Sequence, residues 1–574
     1  MKRYSVRPDI PKKAHAELAA HPEIVRSLLF HRGITTAEAA EKFLHPVFED
    51  NHDPFSLAGM DAAVKRIFDA VQNSEKIIIY SDYDADGIPG AVILHDFFRK
   101  IGYGNFENYI PHRVLEGFGL NVEAIDAFAA GGAKLIITVD CGTANLAEAE
   151  KIKDHGIDLI VIDHHEPVIE NGKEILPHAL AVLNHKKENC GYPESVLSAS
   201  GVSFKLVQAF LKTHGKEFGV AAGWEKWLLD MVAVAAVADM VPLAGENRIL
   251  ARYGLTVLRK SPRPGLQRLL SVIRVDQKHI TEDDIGFMIA PRINAASRMG
   301  DPEDAFFMLV EKDAAKAAAY AEHLNKVNDE RKVLVATMVK EMKKAWQKVD
   351  PEKKRRVLTL GNPDWRPSLL GIAASSLADD HAGPIFLWGR GEGKNLKGSC
   401  RANGAADVVA LMRECADCFE ESGGHAASGG FSVKFDAVAD LADRLEAAHE
   451  KLGANVEEKE TLADAKLSID EVTRELAGMI ADLAPFGMAN PKPLFVFENV
   501  TPVAVSIFGK KKDHLRLDFA QSNGRKISAI AFFKKPEDFS AKLGPGEKVT
   551  LLANVEKSHF LGREEIRLRI VDIC

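Results

Sequence analysis

Leu159–Pro167 reads LIVIDHHEP, and the fold is decided there. A run of apolar β-formers passes directly into Asp163, His164, His165 and Glu166. Four consecutive ionisable groups cannot continue a buried strand, because each needs a partner or a metal. The strand therefore delivers them to a site at its end. Two upstream segments share the design. Lys76–Tyr80 (KIIIY) runs into Ser81–Gly87 (SDYDADG), and Leu135–Val139 (LIITV) runs into Asp140-Cys141-Gly142. In an open parallel sheet, ligands bind at the carboxyl edge of the strands.

Outward from these segments, residues 75–240 alternate short apolar strands with helical patterns, the mark of a doubly wound parallel α/β sheet. The chain has 574 residues, and at roughly 150 residues per domain that suggests about four domains. The expected divisions are a helical region at 1–70, the parallel-sheet domain at 71–300, a connecting helix at 301–350, a second α/β domain at 351–455 and a β-barrel at 465–574. Glu23–Phe30 and Thr36–Leu44 carry apolar residues at helical spacing, with Thr35 or Thr36 as a cap. Ala305–Val349 lacks Gly and Pro and reads as a long helix or helix pair. The second unit has strands at Val357–Leu360 and Pro384–Trp388, then glycine-rich turns at Gly389–Gly393 and Gly423–Gly430. Val456–Glu460 is a charged linker. In the last unit Ile566, Leu568 and Ile570 alternate with Arg567 and Arg569, and its short strands suggest an OB-fold barrel.

Apolar content of 46% and charged content of 27% are those of a soluble globular protein. A net charge of −8 argues against a uniformly basic surface but leaves room for a local basic channel. Six cysteines without regular spacing suggest a reducing compartment. Cys415 and Cys418 form a lone CxxC, read as two positions one turn apart on a helix. The charged start, MKRYSVRPDIPKK, has no apolar core behind it and is no secretory signal. Leu228–Leu243 is interrupted by Asp230 and Asp239 and is too short to span a bilayer. The expectation is a cytoplasmic protein with no membrane contact.

Asp82, Asp84 and Asp86 alternate, so an extended segment would point all three the same way. Asp140, Asp163, His164 and His165 come from neighbouring strand ends, and Asp239 ends another apolar stretch. Carboxylates crowded ~4 Å apart repel by roughly 4 kcal/mol per pair at an effective dielectric near 20. Two divalent cations relieve this. The oxygen and imidazole set, without thiolate, suits Mn²⁺ or Mg²⁺. Such a pair can hold a phosphate, generate hydroxide and stabilise the leaving oxygen. A single aspartate after a strand is more often a turn or cap residue, and Asp163 could merely orient its neighbours. Three such motifs on strand ends of one domain argue against independent caps.

SDYDADG, VDCG, IDHHEP and VADMVPL match, in order, the four motifs of the DHH phosphoesterases. The chain is further similar to the RecJ branch, single-strand-specific exonucleases of bacteria. RVLEGFGL (Arg113–Leu120), PRINAASRMG (Pro291–Gly300), LNKVNDERK (Leu324–Lys332), GSCRA (Gly398–Ala402) and GGHAASGG (Gly423–Gly430) resemble that branch's motifs. The resemblance implies a DHH domain, a DHH-associated domain joined by a long helix, and a C-terminal OB-fold that helps to hold single-stranded DNA. It implies Asp84, Asp86, Asp140, His164 and Asp239 as metal ligands, and His165 beside the scissile phosphate. Many metal-dependent relatives have His where Tyr80 stands, which gives Asp82 part of that role. Ser297 and Arg366 replace the Gly and His usual at their positions.

Arg113, Ser399 and Arg401 match positions expected to bind a 5′-phosphate, and guanidinium and hydroxyl donors suit its oxygens. Arg292, Asn294 and Arg298 are expected to line the passage to the metals. The glycines and His425 of GGHAASGG could cradle a phosphate. Lys510–Lys512 with Phe508 and His514, and Phe532–Lys535, read as basic, stacking-capable patches. The implied activity is two-metal 5′-to-3′ hydrolysis of single-stranded DNA to 5′-mononucleotides, with Asp163 and His165 in catalysis, in repair and recombination. A RecQ-type helicase and single-strand-binding protein are implied as partners of a monomer. The rivals are a DHH oligoribonuclease or cyclic-dinucleotide phosphodiesterase, and a non-enzymatic replication scaffold.

Overall fold

A computed structural model describes residues 4–194, 196–348, 355–378, 381–391, 395–402, 406–453, 460–509, 512–560 and 563–574. Five strands, β1 (Lys76–Ser81), β2 (Phe106–Tyr109), β3 (Ala133–Val139), β4 (Asp158–Ile162) and β5 (Ala181–Leu183), form a wholly parallel sheet in the order β2-β1-β3-β4-β5. Alternate side chains enter two cores. Ile77 and Ile79 face α1 (Gly87–Lys100), while Ile78 and Tyr80 face the helices Val122–Ala130 and Leu146–Asp154. Burial on both faces is why these strands read as unbroken apolar runs. Strand order reverses between β1 and β3, which opens a crevice at their carboxyl ends.

The first domain continues through α2 (Ala199–His214), α3 (Leu229–Ala238) and α4 (Ala290–Met299). The expected connector is a helix pair: Glu303–Val310, then α5 (Ala314–Gln347), whose cap Asp313 accepts from the amides of Ala315 and Lys316. In the second unit, β6 (Leu358–Gly361), β7 (Ile385–Arg390), β8 (Leu396–Arg401), β9 (Phe419–His425) and β10 (Ser428–Val433) pair in the order β9-β10-β8-β7-β6. Helix α6 (Pro367–Ala378) packs on β7 and β8.

Two local readings change here. Gly423–Gly430 is not a turn but most of the β9–β10 hairpin, in which Gly423 pairs with Gly430. Cys415 and Cys418 do not share a helix: the helix ends at Glu414, and both thiols are buried in an apolar core. Most of the linker at 456–460 lies outside the described residues.

The final unit is a seven-stranded sheet about one core that includes Phe495, Phe497, Leu515, Leu517 and Leu568. The N-terminal region joins it. Helices Glu23–Phe30 and Ala37–Leu44 put Val25, Leu28, Leu29 and Leu44 into that same core. Thr36 is the cap, accepting from the Ala39 amide at 3.2 Å. A strand absent from the sequence reading, Tyr4–Val6, pairs in parallel with Thr461–Ala463. Leu29→Ala should destabilise this joint unit by about 2–5 kcal/mol, lowering its denaturant midpoint while the parallel-sheet domain keeps its own. A wild-type midpoint would refute the shared core. Among the described residues, no helix is long and apolar enough to cross a membrane.

Candidate metal centre

The acidic motif leaves its strand early. β1 ends at Ser81, and the chain turns so that Gly87 opens α1. The three aspartates therefore do not alternate along an extended segment. Asp84 Oδ1 accepts from the amides of Asp86 (2.8 Å) and Gly87 (3.2 Å). Asp86 reaches across to the start of α2, accepting from the amides of Ala199 (2.7 Å) and Ser200 (2.8 Å). Gly87 is required by space, since a Cβ there would lie 2.4 Å from the Asp82 carbonyl oxygen.

Beyond β3, Asp140 adopts φ 65°, a left-handed conformation uncommon outside glycine. Beyond β4, Asp163 turns away from the cleft. It accepts from the amides of Thr143 (2.9 Å), His164 (2.7 Å) and His165 (3.1 Å), and its Oδ1 lies 2.7 Å from His165 Nδ1. Asp163 thus orients rather than joins the acidic group. Asp239 caps the C-terminus of α3. His164 lies between the strand ends, its Nε2 3.1 Å from Asp140 Oδ1 and its Nδ1 3.6 Å from Asp239 Oδ2.

Two sets with no shared member result. Asp82, Asp84 and Asp140 converge, as do Asp86, His164 and Asp239, each offering ligand atoms within 4.8 Å of one another. His165 joins Asp140 and His164 in a third overlapping set. Tyr80 points elsewhere, its hydroxyl donating to the Gly119 carbonyl at 2.8 Å. Asp82 therefore stands in the cleft without it.

Burial, then the neighbouring carboxylates, pushes Asp140 well above the ordinary carboxylate range. Burial and then Asp84 do the same to Asp82, while burial and then Asp86 push Asp239 up to about 8. Among the described residues, a buried oxygen of Asp82 has no hydrogen-bond partner, and neither does Asp140 Oδ1 in good alignment despite His164 Nε2 at 3.1 Å. Orphaned, crowded acceptors are what hard divalent cations satisfy, so the residues present fit Mn²⁺ or Mg²⁺. Burial opposes protonation of His165, but the Asp163 hydrogen bond and charge outweigh it and raise the imidazole to about 9. With five carboxylates converging and two divalent ions bound, a His165 imidazolium would offset the remaining negative charge.

The expected phosphate-binding residues divide. Arg113 lies over the Tyr83 ring at 4.9 Å, and burial, then the Arg113 charge, hold Arg298 down to about 10. Asn294 Oδ1 accepts from the Ala85 amide at 2.9 Å and so braces the acidic turn. Arg298 Nη1 donates to the Ser368 carbonyl (2.9 Å) while Ser368 Oγ donates to the Arg298 carbonyl (2.8 Å), clasping α4 to α6. A Cβ at Gly371 would meet both Arg401 and Ser399, so these two face the start of α6. Arg292 instead donates to Asn325 Oδ1 and the Met288 carbonyl. Arg366 lines a groove of about 740 Å³ along α5. His425 is exposed at the end of β9, and none of the three candidate ligand sets includes it.

Sequence reasoning missed the supports. Asn184 Nδ2 donates to Thr143 Oγ1 (3.0 Å) and the His165 carbonyl (2.8 Å). His185 Nε2 accepts from the Leu197 amide at 3.2 Å, steadying the turn into α2. Only the Ser198 cap could have hinted at that turn. Burial, then His164, pushes His185 down to about 3. Its unfolded value is ~6.5, so the unfolded chain takes up the proton first and stability is lost as pH falls from there. His185→Gln should flatten the acid side of a melting-temperature profile; parallel profiles would refute this.

In the last unit, His514 contacts the rings of Phe508 (5.2 Å), Phe532 (5.2 Å) and Phe533 (4.8 Å). Arg569 lies 4.1 Å over Phe532. Lys510 and Lys511 fall outside the described residues.

Residues 76–236 match the DHH family N-terminal domain, 353–452 the DHHA1 domain, and 463–572 the RecJ OB domain. The chain is 33% identical over 573 residues to the single-stranded-DNA-specific exonuclease RecJ of Bacillus subtilis (strain 168), covering 99% of this chain and 70% of that protein. It is 31% identical to RecJ of Escherichia coli (strain K12), covering 84% of each. Its structure matches the crystal structure of RecJ in complex with Mn²⁺ from Thermus thermophilus with a TM-score of 0.80 at 26% identity, over 100% of this chain and 79% of that one. With the three domains in this order and such likeness along nearly its whole length, the chain belongs to the RecJ family of DHH proteins.

Proposed function

We propose that the chain is a 5′-to-3′ exonuclease that hydrolyses single-stranded DNA to 5′-mononucleotides, with two Mn²⁺ or Mg²⁺ ions, in DNA repair and recombination. The observation that carries this is the pair of separate ligand sets in one cleft, Asp82-Asp84-Asp140 and Asp86-His164-Asp239. Bound there, the ions would supply the positive charge that grips a phosphodiester and activates water. Hydrolysis breaks the P–O3′ bond. The water oxygen stays on the phosphate of the remaining strand, and a proton ends on the 3′ oxygen of the released nucleotide. His165 holds Nδ1 against Asp163 at 2.7 Å, which leaves Nε2–H for a phosphoryl or leaving oxygen.

End recognition falls to Arg113, Arg298, Ser399 and Arg401. Arg113 is stacked on Tyr83 with no ion pair to a carboxylate among the described residues, and its fork of donors matches phosphate. Arg113→Ala should raise KM about tenfold for 5′-phosphorylated strands, the worth of a charged hydrogen bond, and little for 5′-hydroxyl strands. An equal change on both would remove Arg113 from this role.

Digestion of 5′- and 3′-labelled strands with Mn²⁺, Mg²⁺ or chelator tests the whole reading. The 5′ label should appear first, as mononucleotide, and only with metal. Prior release of the 3′ label would overturn it. A RecQ-type helicase and single-strand-binding protein as partners, a monomeric state and a cytoplasmic location complete the proposal on family grounds. Sedimentation of the chain alone and with each partner tests assembly.

A further inference from the structure

The connecting helix carries a break in its apolar seam that the metal centre does not explain. α5 is buried at Ala317, Ala321, Leu324, Asn328, Val335, Met338 and Met342. The steps alternate between four and three residues until Asn328, after which one is skipped, and the residue that would fill it is Arg331. Before the break, Ala321 and Leu324 belong to the parallel-sheet core. After it, Val335, Met338 and Met342 belong to a core of the second α/β unit. Asn328 and Arg331 therefore stand where the helix crosses from one domain to the other.

An apolar pair would complete such a seam. Instead Asn328 is 0% exposed, and among the described residues neither its Oδ1 nor its Nδ2 has a partner. Arg331 Nε is buried and, among the same residues, unpartnered as well. Buried polar groups left unsatisfied are costly, so a fold that keeps two adjacent ones has a use for them. The surroundings are cationic. Arg292 donates to an amide and a carbonyl, and Arg298 to a carbonyl, so neither hydrogen-bonds a carboxylate. Burial, then surrounding charges that include Arg331, presses both below the ordinary arginine range. Asp329 and Asp84 only partly offset this, on Arg292 and Arg298 respectively, while burial alone lowers Arg331, and guanidinium groups in such excess form a receptor for anions.

We propose that Arg331, together with Asn328 one turn before it on the same helix, binds a backbone phosphate of the single strand where it passes between the two α/β domains. This rests on the nuclease reading, and it gives LNKVNDERK a task that the metal centre leaves unassigned.

The test uses the Mn²⁺-loaded chain and a fluorescent oligo-dT strand whose first linkage is a methylphosphonate, which blocks cutting. Affinity is measured across a salt series. Arg331→Gln should weaken binding about tenfold and make the slope of log K against log salt shallower by ~0.7, the share of one single-strand phosphate. A purely structural arginine would not move that slope. Asn328→Leu should raise the melting temperature, since it fills the seam, and still weaken the strand. Wild-type slope in Arg331→Gln, or wild-type affinity in a stabilised Asn328→Leu, overturns the proposal. Failure of the nuclease reading looks different: the wild-type chain with Mn²⁺ would then leave an unblocked strand uncut, whatever its affinity.

Discussion

Asp140→Asn is expected to lower turnover of single-stranded DNA by about 10³-fold or more, while raising the melting temperature of the metal-free protein. The two effects have one cause. Asp140 is buried, belongs to two of the three candidate ligand sets, and keeps an orphaned oxygen in the cleft. Asparagine has the same shape and tolerates the left-handed φ of 65°, so the change removes charge without adding backbone strain. Loss of one ligand weakens a charge stabilisation worth several kcal/mol at the transition state, and each 1.36 kcal/mol is about a factor of ten in rate. In chelator the same loss removes one member of a crowded carboxylate group, each close pair of which repels by roughly 4 kcal/mol at an effective dielectric near 20. With metal at about a hundred times its Kd, wild type regains ~2.7 kcal/mol and the variant less. The variant's advantage in melting temperature should therefore shrink from chelator to Mn²⁺. Calorimetric melting under both conditions decides it, and a variant less stable than wild type in both would refute the crowding argument.

His165→Ala is expected to lower kcat by about 10²- to 10⁴-fold, the range for a positioned proton-transfer or charge-stabilising group. Strand affinity should stay within a few-fold of wild type. The imidazole is held by Asp163, which is itself fixed by three backbone amides, so the ring's orientation is set before any substrate arrives. The Asp82–Asp84–Asp140 and Asp86–His164–Asp239 sets do not contain His165, so Mn²⁺ binding should persist. Calorimetric Mn²⁺ titration beside single-turnover cleavage separates the two roles. Loss of metal binding in step with activity would make His165 a ligand instead.

The parallel sheet and its acidic edge were legible because buried strands and strand-end charges both leave compositional marks. LIITV and LIVID can hardly be anything else. What the sequence could not show was the path of the chain between marks. SDYDADG alternates like a strand, yet Gly87 must sit against the Asp82 carbonyl, and the turn this imposes sends Asp84 and Asp86 to different partners. Glycines at 423–430 look like a loop because no side chain distinguishes a bare strand from a turn. Arg292 and Arg298 occupy one motif but diverge, one toward α5 and one toward α6, and no local pattern encodes that choice. Arg331 stayed without a role because a single arginine in a charged helix is ordinary until the apolar seam around it is visible.

The pairing of Tyr4–Val6 with Thr461–Ala463, and the seating of Leu28 and Leu29 in one core with Phe495 and Leu517, bear on how the polypeptide matures. Tyr4–Val6 reach this partner strand only after some 450 more residues have been made, a closure whose entropy cost grows only slowly with length but whose delay does not. Through most of synthesis those apolar helix faces stay open to solvent, so nascent chains stalled before the barrel are the form in which a chaperone has most to shield.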